Sequence, residues 1–202
     1  MAIRGVLFDI GGVLELTGPM DEDRIWAPRL GLTPEQYAER TRAVWRAGSL
    51  GTMSLPEVHG GLAEALDTDA DTVTALMDDV WIRYLGTANH ELIEFARSLR
   101  PRYRTGILSN SFVGAREREQ QAYGFEDLVD EIVYSHEIGV GKPDPRCYEI
   151  ACARLGLPAV EVVFVDDHEA CVDGARAYGM SAILFTSNAV VIAELERLLA
   201  TG

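Results

Sequence analysis

Basic residues are scarce in this chain. Lysine and arginine number 18 against 32 aspartates and glutamates, a formal charge of −14. So acidic a surface makes nucleic acid and an anionic membrane poor partners. It also means that an anionic substrate needs a local cation to overcome the overall field. Cysteine is scarcer still. Cys147, Cys152 and Cys171 form no C-x-x-C pair and their number is odd, which argues against a disulfide framework or a zinc site and suits buried thiols in a reducing cytoplasm. Long apolar runs are missing as well. The N-terminal run is short and broken by Arg4 and Asp9, so it reads neither as a secretory leader nor as a membrane span. There is no internal repeat and no low-complexity tract.

What remains is a globular composition, 48% hydrophobic over 202 residues, enough for one core or a core with a smaller inserted unit. Val6-Leu7-Phe8 reads as a strand buried on both faces. It stops at Asp9, and Gly11-Gly12 follow. A long helical stretch comes next. Thr33-Pro34-Glu35-Gln36 is a capping box with Pro at the first helical position, and the helix presents Tyr37, Thr41, Val44 and Trp45 on one face, with Gly48 suited to its C′ position. Ser54-Leu55-Pro56-Glu57 opens a second helix with the stripe Leu55, Val58, Leu62 and Leu66. A third carries Val73, Leu76, Met77, Val80, Trp81 and Tyr84 and stops at Gly86. Residues from about Glu15 to Thr87 therefore form an all-helical insertion, whose Trp and Tyr side chains read as its core rather than as a ligand-stacking box.

Strands and helices then alternate. A helix from Asn89 to Leu99 precedes the strand Thr105 to Leu108, which runs into Ser109-Asn110. A polar helix (Val113 to Tyr123), the strand Glu131 to Tyr134 and the loop Ser135 to Lys142 follow. Asp144-Pro145 opens a helix with Cys152 on its apolar face. The strand Val162 to Val165 runs into Asp166-Asp167. A helix over Cys171 to Tyr178, the strand Ala182 to Phe185 and a last helix capped by Asn188 complete the chain. This pattern gives an α/β fold, a parallel sheet with helices on both faces and right-handed crossovers.

In such a sheet the carboxyl ends of the strands share one edge. Asp9, Ser109 and the Asp166-Asp167 pair stand at strand ends, and Lys142 lies in a loop after another. Their convergence requires the first strand to be central. The chemistry this suits is phosphoryl or acyl-type transfer through a carboxylate. Asp9 attacks, and water later cleaves the acyl intermediate. Asp9, the main-chain carbonyl of Gly11, Asp166 and Asp167 would hold Mg²⁺, a hard cation that prefers oxygen. Lys142 offsets the crowded negative charge, and the Ser109 hydroxyl with nearby amides holds phosphoryl oxygens.

Phe8-Asp9-Ile10-Gly11-Gly12-Val13-Leu14, Leu108-Ser109-Asn110, Gly141-Lys142-Pro143-Asp144-Pro145 and Phe164-Val165-Asp166-Asp167 resemble, in order, the four signature motifs of the haloacid dehalogenase superfamily. Gly174-Ala175 and Gly179 also fit. The resemblance implies a three-layer Rossmann-like core of strand order 3-2-1-4-5 from residues 1–14 and 88–202, and a helical cap over 15–87 that sets the substrate. It implies a hydrolase with catalytic Asp9, Ser109 and Lys142, a phosphate site at Ser109, Asn110, Gly11 and Gly12, and a small phosphorylated metabolite as partner. Asp167 would bind magnesium directly, Asp166 directly or through water. The acidic pair favours a metal-dependent phosphatase. The alternatives are a metal-independent dehalogenase of 2-haloacids and a catalytically silent binding or regulatory protein.

One departure stands out. Most phosphatases of the superfamily carry a second Asp, the general acid and base, where this chain has Gly11. Its absence predicts a preference for good leaving groups and weakens a mutase reading. Glu15, His59, His136 and His168 are the substitutes nearest in sequence or motif, each read more readily as solvated or structural. Cys171 reads as a packed apolar side chain rather than a nucleophile.

Overall fold

A computed structural model of the chain describes residues 2–200. The first segment runs β1 (Gly5–Phe8), β2 (Glu15–Leu16), α1 (Glu22–Arg29), α2 (Pro34–Ser49), α3 (Leu55–Leu66), α4 (Ala70–Leu85) and β3 (Thr87–Ala88). Then come α5 (His90–Ser98), β4 (Arg104–Ser109), α6 (Ala115–Tyr123), α7 (Phe125–Leu128), β5 (Glu131–Tyr134) and α8 (Ser135–Ile138). The chain closes with α9 (Pro145–Leu155), β6 (Val162–Asp166), α10 (Glu169–Tyr178), β7 (Ser181–Leu184) and α11 (Asn188–Leu199).

Five strands form one parallel sheet in the order β5-β4-β1-β6-β7. Counting only these strands, the order is 3-2-1-4-5, so β1 is central and the strand order expected from the motifs holds. Strand alternation divides the core. Val6 and Phe8 join the cluster beneath α5, α7 and α11, whereas Leu7, Leu108, Val133 and Phe164 join the one beneath α9 and α10. Register then fixes the site. Phe8 lies opposite Ile107 on one side and Val165 on the other, so one step further Asp9 stands beside Asp166 and Leu108.

Helices α1 to α4 pack around a third cluster that includes Trp26, Tyr37, Val58, Leu62, Leu76 and Met77. Thr33 and Gln36 form the expected reciprocal cap of α2, a device contributing about 1 kcal/mol. Phe112, three residues past Ser109, joins this cluster from the other side, its ring 5.6 Å from Trp45 and 6.1 Å from Trp81.

Several local expectations are corrected. The insertion is not wholly helical, because β2 and β3 pair antiparallel at its base. Strands of two residues are too short to show a period. It also holds a further helix, α1, which contains Pro28 and lacks a side-chain cap. Gly48 does not end α2. It lies inside the helix, at a point where a Cβ would fall 2.2 Å from the Phe112 ring, and Gly51, at φ +66°, follows the end instead. The loop after β5 begins with the short helix α8. Ser187, not Asn188, caps α11, and Asn188 bonds to Asn89 and Glu91. The three cysteines are free and buried, and no described helix is long and apolar enough to cross a membrane.

Candidate active site

Lys142 is the only lysine in the chain, and it is spent at the centre of the sheet edge. Its Nζ lies 2.8 Å from Asp9 Oδ1 and 2.6 Å from Asp166 Oδ2, all three side chains being at least nine-tenths buried. Asn110 holds the loop that carries it: Asn110 Nδ2 donates to the Lys142 carbonyl at 2.9 Å, and Lys142 N donates to Asn110 Oδ1 at 2.7 Å. Gly141 permits this approach, since a Cβ there would sit 2.8 Å from Asn110 Oδ1.

Two carboxylates share one ammonium, so the triad carries one negative charge in excess. Burial pushes the Asp9 carboxyl up to about 6, the Asp166 charge adds to this, and Lys142 restrains it. Burial alone would lower Lys142, but Asp9 and Asp166 outweigh it and hold the ammonium above its ordinary value. The compensation is geometric, because desolvated charges are stable only when paired at close range.

The acidic pair divides its work. Both oxygens of Asp166 are engaged, Oδ2 by Lys142 and Oδ1 by the His168 amide at 2.7 Å. Asp167 instead joins Asp9, Gly11, Asn110, Lys142 and Cys171 around a cavity of about 250 Å³. Its carboxyl lies over Gly12, where a Cβ would fall 2.1 Å from Oδ2. His168 Nδ1 is 2.7 Å from Asp167 Oδ1. Burial raises the Cys171 thiol to about 12, so this side chain offers neither a thiolate ligand nor a nucleophile. Besides the His168 imidazole, which also lines the cavity, the donors facing it are oxygens, a set that fits Mg²⁺. Gly12→Ala combines the steric clash with a φ of +74° that side chains rarely adopt. It is expected to weaken Mg²⁺ binding by about 10- to 100-fold, the cost typical of misorienting a ligand, as read by calorimetric titration.

The other candidates are dispersed. His59 is on α3 and lines none of these cavities. His136 lies 2.6 Å from Ser111 Oγ and braces the loop after β4. Ser109 and Asn110, with Gly11 and Glu15, line a second cavity of about 150 Å³. A third, of about 260 Å³, runs on between Asn110 and Trp45, Trp81, Tyr84 and Phe112. Part of the aromatic set is therefore both core and wall. Adjacent cavities share Asn110, and together they connect Asp9 with the helices.

Sequence reasoning missed Glu119. It sits on α6, whose run of Arg, Glu and Gln reads as solvated, yet it is wholly buried. Tyr134 Oη donates to its Oε2. Burial pushes this carboxyl up to about 7 from an ordinary 4.5. The folded state therefore binds the proton more tightly, and stability declines as pH rises across that window. Glu119→Gln is expected to shrink the decline in Tm between pH 4.5 and 7, which thermal melts across that range would measure. An unchanged slope would refute it.

Residues 3–179 match the family described as haloacid dehalogenase-like hydrolase. Phosphatase MT3486 of Mycobacterium tuberculosis is 32% identical over 200 residues, covering 91% of this chain and 88% of that one. (S)-2-haloacid dehalogenase 1 of a Pseudomonas species is 33% identical over 81 residues, covering only 40% of this chain and 36% of that protein. A HAD family enzyme from Bacteroides thetaiotaomicron, solved as a magnesium complex, superposes with a TM-score of 0.78 at 19% identity, over 93% of this chain and 96% of that one. With four motifs gathered on one sheet edge and the family match spanning nearly all of it, the chain belongs to the haloacid dehalogenase-like hydrolases.

Proposed function

We propose that this hydrolase is a magnesium-dependent phosphatase that cleaves a small phosphate monoester through an acyl-phosphate on Asp9. The observation that carries the reading is the Asp9–Lys142–Asp166 triad, 2.8 and 2.6 Å across its two contacts, beside a second carboxylate, Asp167, on the wall of the same cavity. The match to a phosphatase over 91% of the chain supports it, whereas the dehalogenase relatives match over 40 to 64% of it.

Lys142 keeps Asp9 ionised and aimed at the cavity. An Asp9 oxygen attacks phosphorus as the ester P–O bond breaks and the alcohol leaves. Water then attacks the same phosphorus and the Asp9–P bond breaks, restoring the carboxylate. The Ser109 hydroxyl, Asn110 and the main chain at Gly11 and Gly12 hold phosphoryl oxygens. Asp9, Asp167 and the Gly11 carbonyl are the groups that would hold Mg²⁺, with Asp166 oriented through Lys142; the ion supplies charge neutralisation at the phosphoryl group. Residues 15–87 act as the cap over the core of 1–14 and 88–202. The apolar cavity of about 260 Å³ between them takes the body of the alcohol. The buried thiols suit work in a reducing cytoplasm.

The test is a panel of phosphate monoesters with Mg²⁺ and with a chelator. Turnover lost on chelation is expected. Halide release from 2-haloacids without metal would establish the dehalogenase reading instead. Metal binding with no turnover would establish a silent scaffold.

A further inference from the structure

Glu15 opens β2 and is 1% exposed. Its backbone is fixed by pairing with Ala88 and by its amide donating to the Ile10 carbonyl at 2.9 Å. Its side chain is not so fixed: Oε1 is buried and has no hydrogen-bond partner among the described residues. A buried polar atom left without a partner is costly and calls for an explanation. Glu15 also faces a ligand-sized space. It lines the cavity of about 150 Å³ whose walls include Gly11, Ser109 and Asn110 on the phosphate side and Met20 and Tyr84 on the other. Gly11, Thr17 and Asn110 are shared with the cavity of Asp9, and Met20, Tyr84 and Asn110 with the apolar one. Glu15 therefore lines the space through which a bound ester would pass from phosphoryl group to alcohol.

We propose that Glu15 is a catalytic acid and base that contacts the bridging oxygen of the substrate, in place of the carboxyl missing at Gly11. The proposal rests on the phosphatase reading above. As the P–O bond breaks, the Glu15 carboxyl proton passes to the departing oxygen, which leaves as the neutral alcohol. The Glu15 carboxylate then takes a proton from the water that attacks phosphorus, and the cycle closes with inorganic phosphate. The surroundings supply the starting proton. The titratable groups that face Glu15 are Glu119, Asp9 and the phenols of Tyr84, Tyr123 and Tyr134, all acids. Arg116 reaches Glu119 and Lys142 reaches Asp9, but neither is among the groups acting on Glu15. The preference for good leaving groups expected from Gly11 then disappears in the intact enzyme.

The bland role for Glu15 is membership of a buried carboxyl–phenol cluster. The two roles separate in kcat/KM across esters of graded leaving ability, para-nitrophenyl, phenyl and benzyl phosphate, with Mg²⁺. For wild type a shallow dependence is expected. For Glu15→Gln the dependence steepens: benzyl phosphate loses ~10²- to 10⁴-fold, the usual worth of general acid catalysis, and para-nitrophenyl phosphate loses far less. Glu119→Gln, which perturbs the same cluster from outside the cavity, is expected to lower all three esters alike, and circular dichroism melts establish that both variants fold. An equal loss on all three esters in Glu15→Gln would overturn the assignment of Glu15 and leave the phosphatase reading standing. Failure of the wild type to turn over any of them would overturn both.

Discussion

Asp9→Asn is expected to lower turnover of any hydrolysable phosphate ester by on the order of 10⁴-fold or more, the scale seen when a covalent nucleophile is removed. The amide keeps the shape of the carboxyl but cannot displace an alcohol from phosphorus. The protein itself should not suffer. Asp9 and Asp166 compete for one ammonium, and burial already holds the Asp9 carboxyl at about 6, so its ionised form is a burden on the fold at neutral pH. Removing that charge leaves a balanced Lys142–Asp166 pair, and Tm is expected to hold or rise. Steady-state rates and thermal melts on the same preparation check both halves. Wild-type turnover in Asp9→Asn would reject covalent catalysis at this residue.

Lys142→Met is expected to damage stability and activity together. Methionine fills much of the space but leaves two carboxylates facing each other without a cation. Breaking a buried ion pair from one side costs about 3–5 kcal/mol, which for a chain of this size is a fall in Tm of roughly 10 °C. The effect should depend on pH in a definite direction. With the ammonium gone, the folded state relieves repulsion by binding a proton on Asp9, whose carboxyl burial already pushes up, a proton the unfolded chain does not need. The folded variant then holds more protons than its unfolded form at mildly acidic pH, so its stability deficit shrinks as pH falls. Denaturant titrations at about pH 8 and pH 5 would show it, and equal losses at both would refute the pairing as the cause.

Much of this site was legible before any coordinates because parallel sheets convert sequence into position. Val6-Leu7-Phe8 had to be doubly buried, Asp9 had to follow it at the carboxyl edge, and β4 and β6 had to deliver Ser109 and Asp166 there. Register alone then brings Asp9 beside Asp166. The division between the two acids was not legible, since adjacent residues point to different surroundings and only the fold shows that Lys142 and the His168 amide occupy Asp166. Glu119 escaped for a related reason, and Glu15, named as the carboxylate nearest the turn, was read as solvated or structural. Local pattern assigns a carboxylate to solvent, and burial of both near Tyr84 and Tyr134 is set by elements far away in the chain. Gly48 misled because a glycine near a helix end reads as a stop, whereas here the constraint is the Phe112 ring arriving from after β4.

Having its single lysine locked between Asp9 and Asp166 gives the molecule a built-in clock. Apart from the α-amino group, an acylating reagent finds one amine to modify, and that amine is sealed and protonated until the cleft comes apart. The pace at which its mass shift grows, followed by digestion and spectrometry, measures how often the catalytic edge breathes. No label has to be engineered in, and a bound phosphate analogue that tightens the cleft should slow the clock.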